Sequence, residues 1–117
     1  NMPLCDAECY VTAIAREDGD FDIRIRSVNC KPLCQYSECL TRVNMDDLID
    51  FNNSAINNVD TRGTVCPHCP IPAAVFEAAW IEGGMISKSL VAKIRMNTLE
   101  YVDSEGKPLC DDLSKPQ

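Results

Sequence analysis

Eight cysteines are the residues of this 117-residue chain whose side chains could most readily do chemistry. They are Cys5, Cys9, Cys30, Cys34, Cys39, Cys66, Cys69 and Cys110. An even number permits complete pairing, and reducing compartments rarely keep so many thiols in a small protein unless the thiols hold a metal. We therefore expect a secreted, extracellular protein in which all eight cysteines form disulfide bonds.

The sharpest local motif is Cys66-Pro67-His68-Cys69, because the same four residues form the active site of thiol oxidases with a thioredoxin fold. In such a site Cys66 would be the nucleophile, Cys69 the resolving thiol and His68 the residue that tunes the redox potential. The context argues against this interpretation, since residues 57–64 are polar where a buried strand should lie and two prolines soon follow Cys69. A thiol-disulfide oxidoreductase remains the alternative function.

A zinc site is a second alternative for the same motif. Cys66, His68 and Cys69 resemble half of such a site, and Cys30 and Cys34 could supply the other half. Strong zinc signatures repeat the C-x-x-C pair, whereas this chain has one such pair. The single histidine is not accompanied by a nucleophile-elbow motif, so nothing supports a hydrolase. We predict a protein that is not an enzyme and that carries no metal or other cofactor.

The net charge of -7 and the pI near 4.5 argue against binding to nucleic acid. No apolar run is long enough for a transmembrane helix, so we expect no membrane insertion. Four cations on predicted strands could form a local patch for an anion or a partner, provided that their strands are neighbours. They are Arg24, Arg26, Lys93 and Arg95. A solvated strand face explains the same alternation equally well.

Two strands are predicted at the start of the chain, over residues 8–16 and 21–28, because apolar and polar residues alternate there. Gly19 lies in the acidic segment between them and suits the tight turn of a β-hairpin. The residues that share the apolar faces are Cys9, Val11, Ala13 and Ala15 on the first strand and Phe21, Ile23 and Ile25 on the second. The segment from Cys30 to Cys39 is predicted to be irregular or briefly helical.

Two helices are predicted in the middle of the chain. Asn44 can cap the first, in which Leu48, Phe51 and Ala55 recur at helical spacing before an asparagine-rich segment ends it. Pro72 suits the first turn of the second, which stops at Gly83. Its apolar stripe consists of Val75, Phe76, Ala79 and Trp80, which we interpret first as core and only second as exposed anchors.

Further strands are predicted over residues 90–96 and 99–102, followed by a turn at 104–106. The order of elements predicts an α+β fold with an antiparallel sheet that carries about two helices on one face, braced by disulfides. We expect one domain over residues 1–117 with a polar tail at 111–117. Because no basic or apolar leader precedes Pro3, we expect a mature chain after removal of a signal peptide. Asn52-Asn53-Ser54 permits glycosylation.

The stretch from Cys39 to Cys69 resembles the Leptosphaeria avirulence-suppressing effectors, which are small secreted proteins of plant-pathogenic fungi. The match consists of a cysteine, the helical segment Leu48-Ile49-Asp50-Phe51 and a C-x-x-C pair fifteen residues later, over 31 residues in all. The resemblance implies a disulfide-braced antiparallel sheet with helices, no known catalytic activity and delivery from the fungus to the plant. It implies a host plant protein as partner, and either modulation of immunity or recognition, or its masking, by plant resistance proteins.

Overall fold

The structure is a computed structural model that describes residues 8–96 and 101–107. Its elements in chain order are β1 (Glu8–Ala15), β2 (Phe21–Val28), α1 (Lys31–Cys39), β3 (Arg42–Val43), α2 (Met45–Ile49), α3 (Val59–Arg62), α4 (Ile71–Glu82) and α5 (Lys88–Ile94). Two 3₁₀ turns, Phe51–Asn53 and Ala55–Asn57, lie between α2 and α3. The chain is therefore α+β, and its described part contains a three-stranded antiparallel sheet in the order β1-β2-β3 and five α-helices, which is more than the two expected.

The predicted β-hairpin is confirmed, with β1 ending at Ala15. The backbone N–H of Arg16 donates to the carbonyl oxygen of Asp20 at 2.8 Å, and Gly19 takes a φ of +93° in the turn. Such a positive φ is easy only for a residue without a β-carbon. Arg42 of β3 then bonds the Asp20 carboxylate at 2.7 Å, which ties the short third strand to the hairpin turn.

One face of the sheet is buried and the other is exposed. Phe21, Ile23 and Ile25 of β2 are buried, whereas Arg24 and Arg26 between them are exposed. α4 packs mainly on β1 and α1 on β2. The two helices that pack on the sheet, α1 and α4, therefore lie on its buried face, because successive side chains of a strand point to opposite faces.

The segment between Cys30 and Cys39 folds as the short helix α1, the second of the two options that the sequence allowed. Leu33 and Tyr36 lie one turn apart and are almost completely buried against the sheet. The Tyr36 hydroxyl donates to the carbonyl oxygen of Ile56 at 2.9 Å. This bond joins α1 to the second 3₁₀ turn inside the core.

α2 begins where the sequence predicts but ends early. The Asn44 side chain accepts from the N–H of Asp47 at 2.9 Å, and the Asp47 carboxylate accepts from the N–H of Asn44 at 3.0 Å, which completes a capping box. The helix ends at Ile49, so the expectation of one helix through Phe51 and Ala55 is wrong. Asparagines bond nearby backbone groups and favour turns over continued helix. Phe51 consequently leaves the buried stripe.

α4 forms as predicted, with Pro72 in its first turn and Gly83 at its C-cap. Val75 and Ala79 are fully buried. The helix end lies directly over the ring of Phe21, since a β-carbon added at Gly83 would stand 3.1 Å from the Phe21 Cζ atom. The side chain of Glu82 accepts from the backbone N–H of Ala15 at 3.1 Å, so the C-terminal end of α4 meets the end of β1.

The strand predicted over residues 90–96 is wrong, because Lys88–Ile94 form the helix α5. The Ser87 hydroxyl accepts from the N–H of Leu90 at 3.3 Å and caps this helix. Of the predicted strand at 99–102, residues 99 and 100 lie outside the described residues. The turn at 104–106 is confirmed, since the N–H of Asp103 donates to the carbonyl oxygen of Lys107 at 2.8 Å. The polar tail at 111–117 lies outside the described residues.

No helix within the described ranges combines the length and the apolar character needed to cross a membrane.

Candidate functional site

Cysteines from three separate elements gather at the end of the sheet where β1 begins and β2 ends. Cys9 pairs with Ser27 across the two strands, so both side chains point to the buried face. The hydroxyl oxygen of Ser27 lies 3.3 Å from the sulfur of Cys34 in α1. Cys9 of β1 and Cys34 of α1 are therefore both neighbours of Ser27.

α1 adds a second cysteine to this end of the sheet. Asn29 takes a φ of +65°, which turns the chain out of β2 and into the helix. Cys30 then stands at the N-cap of α1, and its carbonyl oxygen accepts from the N–H of Cys34 at 3.1 Å. Cys30 is half-buried and packs against the hydrophobic core.

The loop before α4 supplies the fourth cysteine. The N–H of Cys69 donates to the carbonyl oxygen of Cys66 at 3.0 Å, so the predicted motif forms a turn. Cys69 is half-buried and packs against the same core as Cys9 and Cys30. We name Cys9, Cys30, Cys34 and Cys69 the cysteine cluster.

The surroundings of Cys9 shift the pKa of its thiol. Burial, followed by the charges of Cys69, Cys30 and Cys34 in that order of size, raises the pKa of the Cys9 thiol to about 11. A nearby like charge disfavours a second thiolate, in the same way that desolvation does. Cys9 is therefore a neutral thiol at physiological pH.

The described part of the chain holds two further cysteines. Cys39 and Cys66 are exposed, and no S–S bond joins any two cysteines within residues 8–96. Cys5 and Cys110 lie outside the described residues. Disulfide pairing of all eight cysteines thus stays a prediction.

The arrangement around Cys66 differs from that of a thioredoxin-type site. A reactive thiolate of that kind sits at the N-terminus of a helix. Four residues, 67–70, separate Cys66 from the first residue of α4, and both Cys66 and His68 are exposed in the turn. Cys69, the other cysteine of the motif, belongs to the cysteine cluster. Among the residues that the structure describes, no three His, Cys, Asp or Glu side chains are placed so that they could hold a metal ion.

The predicted cationic patch required neighbouring strands, and this condition is not met. Arg24 and Arg26 are exposed on β2, whose sheet neighbours are β1 and β3. Lys93 lies in α5 and Arg95 is its C-cap with a φ of +73°. The alternation that suggested a strand at 90–96 belongs to a helix, so the four cations do not line one sheet face.

An open groove of about 610 Å³ lies between α2 with its following 3₁₀ turn and α4. We name this feature the aromatic groove and define it by Leu48, Ile49, Phe51, Phe76, Trp80 and Ile86. Most of its lining is apolar. Arg62, Glu77 and Cys69 also line it, which brings the groove close to the cysteine cluster.

Two contacts hold the walls of the aromatic groove together. The rings of Phe51 and Phe76 are stacked with their centroids 6.0 Å apart and their planes at 21°. The indole N–H of Trp80 donates to the carbonyl oxygen of Leu48 at 3.0 Å, which links α4 to α2. Phe51 nevertheless stays 66% exposed and Ile49 68% exposed. Large apolar side chains that stand together at a surface are typical of binding sites.

The aromatic groove was missed because Phe76 and Trp80 were interpreted first as core, and because Phe51 was placed inside a continuous helix. The signal that could have revealed it is the pair Asn52-Asn53. These residues favour a turn, so Phe51 lies in a 3₁₀ turn and not in a helix that would bury its ring. Trp80 is 36% exposed, so the second interpretation, an exposed anchor, suits it better.

A protein-family model described as a family of unknown function (DUF6951) matches residues 1–94. No curated protein matches the chain. No solved structure matches it either. The resemblance to the Leptosphaeria effectors stays a prediction.

Proposed function

Because the chain belongs to the DUF6951 family, whose function is unknown, we propose its role from its surface: it is a binding domain that holds a partner protein in the aromatic groove. The observation that carries the proposal is the stacked pair of Phe51 and Phe76, of which Phe51 is two-thirds exposed. Exposed aromatic residues beside a concave apolar surface are the usual anchors of protein recognition.

The groove suits a peptide-like segment with apolar anchors. The Trp80–Leu48 hydrogen bond links α4 to α2, and the ring stack links α4 to the 3₁₀ turn of Phe51, so both walls are in place before a partner binds. A preformed site costs little ordering on binding. Arg62 and Glu77 put one charge of each sign along the walls, so polar groups of a partner can be oriented there.

The experiment is a selection of phage-displayed random peptides on the wild-type protein. We expect enriched peptides to carry aromatic or large aliphatic anchors, and Phe51→Ala to weaken their binding by about tenfold or more, as is usual for an aromatic anchor. Tyr10→Ala is the matched control, because Tyr10 is 62% exposed on β1 and does not line the groove. Equal binding by both variants, or no enrichment, would refute the proposal.

We propose as the biological setting a secreted effector of a plant-pathogenic fungus that binds a host plant protein and modulates immunity. The support for it is the resemblance of residues 39–69 and the eight cysteines of a small acidic chain. The gene should then lie in a fungal genome, and expression of the chain in leaves should change an immune output in a way that Phe51→Ala abolishes. A non-fungal source contradicts this setting and leaves the binding proposal intact.

We also propose that disulfide bonds brace this domain in its oxidised form. The cysteine cluster supports bracing, because its members come from the sheet end, from α1 and its N-cap, and from the segment just before α4. The proposal concerns the scaffold, so it can fail while groove binding holds.

A further inference from the structure

α4 packs against β1, and the two elements meet at their C-terminal ends. The Glu82 carboxylate at the C-terminal end of α4 accepts from the N–H of Ala15, which is the last residue of β1. From Cys9 to Ala15 an antiparallel strand extends about 20 Å, and from Ile71 to Glu82 a helix rises about 17 Å. The residues just before α4 are therefore expected beside the start of β1, where Cys9 lies.

Cys69 is the residue that occupies this place from the α4 side. Cys9 and Cys69 are both half-buried and pack against one hydrophobic core. Of the three cluster thiols, Cys69 has the largest electrostatic effect on Cys9. Cys34, by contrast, is exposed and contacts Ser27.

We propose that Cys9 and Cys69 form a disulfide bond when the chain is oxidised. This inference rests on the bracing proposed above and names the pair that carries it. The bond would fasten the start of β1 to the start of α4, so that both ends of the helix would be tied to the strand, one covalently and the other through Glu82.

The reaction needs an oxidant, which we take to be a small-molecule disulfide such as oxidised glutathione. The thiolate of Cys69 attacks one sulfur of that molecule, breaks its S–S bond and releases one thiolate. The Cys9 thiol loses its proton to solvent and attacks the sulfur of Cys69 in the mixed disulfide. The second glutathione leaves as a thiolate, so two protein thiols are oxidised and one small disulfide is reduced to two thiols.

The experiment uses the full chain, reduced and then incubated with oxidised glutathione, alkylated and digested with trypsin. Cleavage after Arg16, Arg62 and Lys88 leaves Cys9 in peptide 1–16 and Cys69 in peptide 63–88. Each peptide holds a second cysteine, so the variant Cys5→Ser/Cys66→Ser makes the assignment unique. We expect these two peptides to be linked in that variant, and the link to vanish when Cys9→Ser is added.

Several results would overturn the pairing. A link from peptide 1–16 to peptide 27–42, which carries Cys30, Cys34 and Cys39, assigns Cys9 a different partner while bracing stands. Complete alkylation of every cysteine after oxidation refutes the pairing and bracing together. Protection of Cys9 by Zn²⁺ in place of oxidant shows a metal site and also refutes the pairing. Tandem mass spectrometry of the wild-type linked peptide gives the same assignment if the variant does not fold.

Discussion

Removal of the Tyr36 hydroxyl is the sharpest test of the core. Tyr36 is fully buried, and its hydroxyl donates to the carbonyl oxygen of Ile56 at 2.9 Å. Tyr36→Phe keeps the ring and deletes that donor, which costs about 1–3 kcal/mol when the acceptor stays buried. Since about 1 kcal/mol shifts the Tm of a domain of this size by roughly 4 °C or more, we expect a fall of about 4–12 °C.

The assay is urea unfolding followed by circular dichroism, with thermal melts of the same samples. Tyr10→Phe is the control, because Tyr10 is 62% exposed and its loss of a hydroxyl should change the free energy of unfolding by less than about 0.5 kcal/mol. If both variants unfold at the same urea concentration, the bond from α1 to the second 3₁₀ turn does not exist in solution. The reasoning about the core would then be wrong.

Three further predictions concern titration and capping. In the reduced chain, burial raises the pKa of Cys9 above its usual 9.0 to about 11, so the unfolded state loses its proton first and stability should fall between pH 9 and 11; Cys9→Ser should flatten that fall in pH-dependent melts under reducing conditions. The hydrogen bond from the N–H of Ala15, followed by Lys88, lowers the pKa of Glu82 below its usual 4.5. The stability that the ionised carboxylate provides at neutral pH should therefore be lost as the pH drops below that value. If Glu82→Gln leaves the acid melts unchanged, the hydrogen bond from Ala15 to Glu82 is contradicted. Asn44→Ala should lower the free energy of unfolding in urea titrations by about 1 kcal/mol, because α2 loses its cap. Asn58→Ala, which removes the cap of the four-residue helix α3, is the comparison.

The hairpin and α4 could be predicted because their signals are local. Residues 8–28 alternate with a turn between the strands, and Pro72 and Gly83 mark the two ends of one helix. α5 shows the limit of such signals. Leu90, Val91 and Ile94 fit helical spacing, whereas Leu90, Ala92 and Ile94 fit strand alternation. Ser87, whose hydroxyl caps the helix in the structure, is the residue that distinguishes the two patterns.

The candidate sites depended on contacts between distant parts of the chain. No spacing rule brings Cys69 to Cys9, since their approach requires α4 to lie along β1. The aromatic groove likewise arises because the chain leaves the helix before Phe51 and stacks that ring on α4. Periodicity predicts which residues share a face, but it does not predict which faces stay uncovered.

The close approach of Gly83 to Phe21 restricts how this sequence can diverge. A β-carbon at position 83 would meet the Phe21 ring at 3.1 Å and the carbonyl oxygen of Ala79 at 3.2 Å, so the two side chains compete for one small volume. Backbone strain is not the reason, because the φ of Gly83 is -77°. Homologous chains should therefore gain a methyl group at 83 more readily where position 21 carries a side chain shorter than Phe, because that change removes the closer of the two contacts.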